Sequence, residues 1–138
     1  MRAFFDTNIL VYAQEADRKG ERARALMAKG GVISVQVLNE LANVLRKKHR
    51  RSWTEIEKVL GDVDDALDEA VPLTFEIHAS AVVLARDHGL SIYDALIVAA
   101  ALEAGCDTLF SEDMQHQRAF GGLRIVNPFL EDARSPSG

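Results

Sequence analysis

Apolar positions in this chain fall into short runs set between longer stretches with helical spacing. Ala3-Phe4-Phe5 is such a run; it halts at Asp6 and reads as a short buried strand. Thr7-Asn8 turn the chain, and Asn8 is the expected cap of a helix beginning over residues 9–13. Residues 19–29 place Ala23, Leu26 and Met27 on one helical face, and Gly30-Gly31 ends that helix. Val32-Ile33 is a second short strand. Ser34 is placed to cap a helix running to about Lys48, with Val37, Leu38, Leu41 and Leu45 as its inward stripe. Ser52-Trp53-Thr54-Glu55 fits a capping box, opening a helix to about Asp68 whose many acids read as a solvated outer face. Val71-Pro72-Leu73 is an extended piece suited to a sheet edge, because Pro72 has no N–H to donate. Thr74 caps a helix to His88, stopped by Gly89. Ser91 caps Ile92–Glu103, and residues 95–102 contain no polar side chain, so this helix belongs at the centre. Thr108-Leu109-Phe110 and Leu123–Val126 are the last strands, with a turn at Gly121-Gly122 between them.

Short apolar strands alternating with helices predict an α/β protein, with a parallel sheet covered on both faces. Sites in such sheets form beyond the carboxyl ends of the strands. Residues 1–130 read as a single domain, and the polar stretch 131–138 as a flexible tail. The length of 138 residues suits one hydrophobic core.

Composition narrows this picture little. No apolar run approaches the roughly 20 residues that cross a bilayer, and no leader pattern stands at the start. Cys106 is the only cysteine, so an internal disulfide is impossible and a reducing cytoplasm fits. A net charge of −5 argues against a polyanionic partner, but its distribution changes the weighing. Arg46, Lys47, Lys48, Arg50 and Arg51 cluster at one helix end, so a local basic rim can still meet a phosphate backbone.

The chemistry lies in four acids. Asp6 and Asp113 each follow an expected strand, while Glu40 and Asp94 lie on apolar helices. Acids drawn together in a half-buried place repel one another and lose hydration, and a hard divalent cation relieves both costs. Each acid also has an ordinary structural reading. Asp6 could form a turn or cap a helix. Glu40 could be a boundary acid on an amphipathic helix, on the stripe of Gln36, Asn43 and Lys47. Ser91-Ile92-Tyr93-Asp94 matches a capping pattern. Asp113 could sit in a polar loop, and its neighbour Glu112 competes with it for the inward position. No histidine pair has metal-ligand spacing, and no glycine-rich phosphate loop is present.

In combination these segments resemble the PIN-domain family, and within it the VapC-type toxins of bacterial toxin–antitoxin pairs. The resemblance is carried by F-F-D-T-N-I-L at the amino end, S-V-Q-V-L-N-E-L in the third helix, S-I-Y-D-A-L-I-V-A-A-A in the central helix, and L-F-S-E-D-M-Q followed by L-R-I-V-N-P-F. It implies a three-layer α/β/α sandwich with a short, mostly parallel sheet. It also implies an endoribonuclease whose Asp6, Glu40, Asp94 and Asp113 hold Mg²⁺ or Mn²⁺, a homodimer, and neutralisation by a small antitoxin protein. Thr7, Asn8, Ser111 and Glu112 are then supporting residues, and Arg46, Lys47 and Arg50 are candidates to hold RNA. A housekeeping RNA-processing nuclease and a non-catalytic partner-binding module are the alternatives within the fold. A phosphoacceptor receiver domain is disfavoured, because it typically needs adjacent acids after the first strand and a late lysine, and no Lys follows Lys58.

Overall fold

The structure is a computed structural model that describes residues 1–130. Residues 131–138, expected from the sequence to be a tail, lie outside the described residues. Among the described residues, six strands form one sheet in the order β3-β2-β1-β4-β6-β5. They are β1 (Ala3–Phe5), β2 (Val32–Ser34), β3 (Glu69–Val71), β4 (Thr108–Phe110), β5 (Ala119–Phe120) and β6 (Leu123–Val126). All pairings are parallel except that of β5 with β6. The helices are α1 (Thr7–Tyr12), α2 (Arg18–Met27), α3 (Val35–Lys47), α4 (Trp53–Ala66), α5 (Phe75–His88) and α6 (Ile92–Glu103).

Strand order and the handedness of crossovers together fix the layers. The chain steps from β1 to β2 to β3 in one direction, then returns past β2 and β1 to reach β4 on the far side. Right-handed crossovers taken in opposite directions put their helices on opposite faces. The connections carrying α1–α2 and α3–α4 therefore cover one face, and the one carrying α5–α6 covers the other. The direction reverses between β1 and β4, which makes the carboxyl ends of these two strands the switch point of the sheet.

Local sequence explains most element ends. Ser34, Thr74 and Ser91 each accept a backbone N–H three residues on, and the Ser52–Glu55 capping box is formed in both directions. Gly89 ends α5 with φ of 69°, a left-handed conformation that costs a residue without Cβ nothing. Residues 95–101 of α6 are all buried, as an uninterrupted apolar helix requires, and they pack with Phe4, Val32 and Leu109 in one core. Cys106 belongs to that core; burial pushes its thiol up to about 11, so it is inert packing.

Three sequence expectations need correction. The cap of α1 is Asp6, not Asn8: its carboxylate accepts the Thr7 N–H, and the helix starts at once after β1. The edge strand is Glu69–Val71, two residues before the expected 71–73, because pairing with β2 sets its position, and Pro72 lies just beyond it. The two-residue β5 was not foreseen; it exists only as the antiparallel partner of β6 across a turn in which Gly121 takes φ of 57°.

Candidate functional site

Each layer of the fold delivers acids to the carboxyl edge of the sheet. Asp6 comes directly off β1, its N–H extending the ladder to the Phe110 carbonyl at 2.9 Å. Asp113 lies in the loop after β4, the neighbouring strand. Glu40 stands on α3 from one helical layer, and Asp94 in the first turn of α6 from the other. Asp6 is buried, Glu40 and Asp94 are half-buried and Asp113 is exposed, so the acids run from the core outward.

Hydrogen bonds hold most of these carboxylates. Asp6 accepts the Thr7 N–H at 2.7 Å on one oxygen and the Ser111 hydroxyl at 2.7 Å on the other. Glu40 accepts the Thr7 hydroxyl at 2.7 Å and the Gln36 side-chain amide at 2.9 Å. Asp113 accepts the Asn8 side-chain amide at 3.0 Å. Thr7 thus joins Asp6 and Glu40 through its backbone and its side chain. Both hydroxyls considered in the sequence, Thr7 and Ser111, are spent on carboxylates. Ser91 Oγ accepts the Asp94 N–H at 3.1 Å, but among the described residues no return bond from the Asp94 carboxylate to the Ser91 N–H closes a capping box.

Electrostatics ties the four acids together. Burial, partly offset by the bonds from Ser111 and Thr7 and reinforced by the charges of Glu40 and Asp94, raises the Asp6 carboxyl from 3.8 to about 6. Burial and the charges of Asp113 and Glu40 raise Asp94 as well. Among the described residues, no Lys, Arg or His forms an ion pair with Asp6, Glu40, Asp94 or Asp113. Glu112 differs: burial pushes its carboxyl upward, but bonds from Lys19 and Tyr12 outweigh this and hold it low.

This donor set fits a hard divalent cation in its chemistry, since all donors are oxygens and their mutual repulsion is uncompensated. The geometry is looser than the sequence led us to expect. Among the described residues, no three His, Cys, Asp or Glu side chains are arranged to hold a metal ion. Asp113 takes a single bond among the described residues, from the Asn8 amide.

A cavity of about 610 Å³ opens beside the acids between α1 and α3. Glu40, Asp113 and Asn8 line one part of it, while Asn43, Lys48 and His49 also contribute to its walls. Arg46, Lys47 and Arg50, the basic residues singled out in the sequence, do not line it. Arg46 instead lies 5.1 Å from the centre of the Trp53 ring and donates to the Arg51 carbonyl, bracing the turn into α4. The helical spacing Glu40, Asn43, Val44, Lys48 was the signal for the lining; Lys48 is where α3 ends, and it rather than Lys47 reaches the groove.

A short parallel sheet with an acid-rich carboxyl edge at its switch point defines the class of this molecule, an α/β fold with a candidate cation site. The PIN domain profile matches residues 3–121, and the chain belongs to the PIN-domain family. It is similar in fold to a toxin–antitoxin complex from Klebsiella pneumoniae at 21% identity, covering 91% of this chain and 97% of that one, with a TM-score of 0.69. It is also similar to VapBC2 from Rickettsia felis bound to a DNA fragment from its promoter, at 22% identity, 91% and 97% coverage and a TM-score of 0.66. VapC20 from Mycobacterium tuberculosis, a toxin that cleaves the sarcin–ricin loop, matches at 18% identity, 80% and 89% coverage and a TM-score of 0.64. No curated protein matches the sequence. No helix among the described residues is long and apolar enough to cross a membrane.

Proposed function

We propose that this protein is a VapC-type toxin, a cytoplasmic endoribonuclease that hydrolyses RNA phosphodiester bonds with Mg²⁺ or Mn²⁺ held by Asp6, Glu40, Asp94 and Asp113. The observation that carries the reading is geometric: β1, α3, α6 and the loop after β4 bring four carboxylates to one edge of the sheet, and among the described residues no cationic side chain pairs with any of them; the upward push on Asp6 and Asp94 agrees with this. The cap and hydrogen bonds of Asp6 only partly offset the cost of burying acids side by side, and a bound cation would offset the remainder. Membership of the PIN family and likeness to toxins support the same reading.

When bound, the cation supplies positive charge to the phosphate and makes water a stronger nucleophile near neutral pH. The chain's own part is to hold the donors. Ser111 and the Thr7 N–H fix Asp6, Thr7 and Gln36 fix Glu40, and Asn8 steadies Asp113. Asp94 sits near the positive end of α6, which opposes, without reversing, the upward push of burial and the neighbouring acids. Lys48 and His49 line the adjoining groove, where they can meet phosphates of a single strand.

The partners follow from the same reading. An antitoxin protein neutralises the site, and an arginine is the side chain that would match its unpaired carboxylates. A homodimer is supported by α5, which buries Ile77 and Ala81 but leaves Phe75, Val82 and Val83 exposed.

The test is cleavage of labelled RNA with Mg²⁺ or Mn²⁺, and with both removed by chelation. Cutting should require the metal and should vanish in Asp94→Asn while the circular dichroism spectrum stays native. Absence of cutting on any RNA with either metal, or full activity of Asp94→Asn, would overturn the proposal.

A further inference from the structure

Glu112 and Asp113 are consecutive acids in the loop after β4, yet the structure treats them differently. Asp113 is exposed and takes a single bond from the protein, the 3.0 Å bond donated by the Asn8 amide. Glu112 is engaged at both carboxylate oxygens and at its backbone. The Tyr12 hydroxyl donates to one oxygen at 2.5 Å, and Lys19 Nζ donates to the other at 2.5 Å. The Glu112 N–H donates to Asn8 Oδ1 at 3.2 Å. Lys19 in turn lies over two rings, 4.6 Å from the centre of Tyr12 and 5.1 Å from that of Phe129, and those rings meet edge to face at 5.1 Å.

Asn8 and Tyr12 stand four residues apart on α1, so they share one face of that helix. That face receives the loop at two points. Tyr12 takes the Glu112 carboxylate. Asn8 uses its oxygen on the Glu112 backbone and its amide on the Asp113 carboxylate. For Glu112 to turn towards the other acids it would have to give up two bonds, one of them to a full positive charge, while Asp113 would give up one.

We propose that Glu112, clamped by Tyr12 and Lys19, is a positioning residue that sets where the Asp113 carboxylate stands through Asn8, and is not itself a cation ligand. This rests on the nuclease reading of the site. Side chains that orient a ligand from behind typically change metal affinity or activity about 10-fold or more when removed.

The experiment uses Glu112→Gln, which keeps volume but loses the charge that Lys19 meets. The Asn8 side-chain amide signals in a ¹H–¹⁵N spectrum of metal-free protein report its bond to Asp113 and need no activity. They should shift in Glu112→Gln and stay in place in Lys19→Arg, which preserves the cation. In a second arm, the Mn²⁺ concentration at half-maximal thermal stabilisation should rise about 10-fold in Glu112→Gln. It should rise no further when Glu112→Gln is added to Asp113→Asn, because a residue acting only through Asp113 has nothing left to act on. Unmoved Asn8 signals, or effects of the two substitutions that add, would overturn the inference; the second result would make Glu112 a ligand in its own right. A wild-type protein that neither cuts RNA nor responds to Mn²⁺ would remove the nuclease reading instead, and the Asn8 signals alone would then decide the clamp.

Discussion

The two edges of the sheet handle negative charge in opposite ways. At the amino edge Arg2 donates to Glu69 at 2.6 Å and to the Ala104 carbonyl at 2.7 Å, and its own N–H meets Asp107 at 3.3 Å. Nearby, Asp68 accepts the Gly31 N–H at 2.9 Å. Bonds from Thr108 and the Arg2 N–H hold the Asp107 carboxyl below its ordinary value. Acids there close the ends of strands, each with a donor or cation in reply. At the carboxyl edge Asp6 and Asp94 face other acids with no cation in reply and are raised, whereas Glu112, which meets Lys19, is held low as at the amino edge. The contrast separates carboxylates answered by a cation from those left facing like charge, and the second kind is the candidate for function.

The sharpest way to break this contrast is Asp6→Asn. It should lower metal-dependent RNA cleavage by about 10³-fold, the scale of losing several kcal/mol of metal assistance. It should also stabilise the metal-free protein at pH 7.5, because a neutral group replaces a buried charge. A rise in the carboxyl from 3.8 to about 6 corresponds to about 3 kcal/mol, an upper bound on that gain. Chemical denaturation of both proteins measures it, and a destabilised Asp6→Asn would place Asp6 with the structural acids.

The pH dependence carries the same sign. The folded state holds the Asp6 proton more tightly than the unfolded state, so this stability is complete below about 3.8 and is lost as pH rises through about 6. Denaturation of metal-free wild type should therefore show an Asp6-dependent fall in stability between those values, absent in Asp6→Asn. Magnesium should reverse the fall: a millimolar addition should raise the melting temperature at pH 7.5 clearly more than at pH 5, where protons compete for the acids. An equal shift at both values would dissociate the metal from these carboxylates.

The smallest effect belongs to the amino edge. Arg2→Ala should cost at most about 1 kcal/mol, since its ion pair with Glu69 is solvent-exposed, and RNA cleavage should stay at the wild-type rate. Loss of activity there would dissolve the distinction between the edges.

Much of this could be read from the chain. The bounds of α5 and α6 follow from Thr74, Ser91 and Gly89, because caps and left-handed glycines act within a few residues. Asp6 stands out in the sequence as a charge ending an apolar run, and Glu40 and Asp94 as acids on apolar helices. What the sequence hid depends on distant pairing. The position of β3 is set by β2, and β5 exists only through β6. The Thr7 link to Glu40 crosses from α1 to α3, and the Glu112 bonds reach Tyr12 and Lys19 on α1 and α2, so spacing could not reveal either. Asn8 is as good a cap as Asp6 by residue type alone, and only the fold shows that one Asp6 oxygen caps α1 while the other meets Ser111.

The acid edge draws on β1, both helical layers and the loop after β4, so its members stretch from residue 6 to residue 113. No contiguous half of the chain contains them all. A polypeptide still emerging from the ribosome, or clipped between α4 and α5, would lack a finished site. Under the proposed nuclease reading, cleavage cannot begin before the segment that follows β4 has been made and has folded against β1.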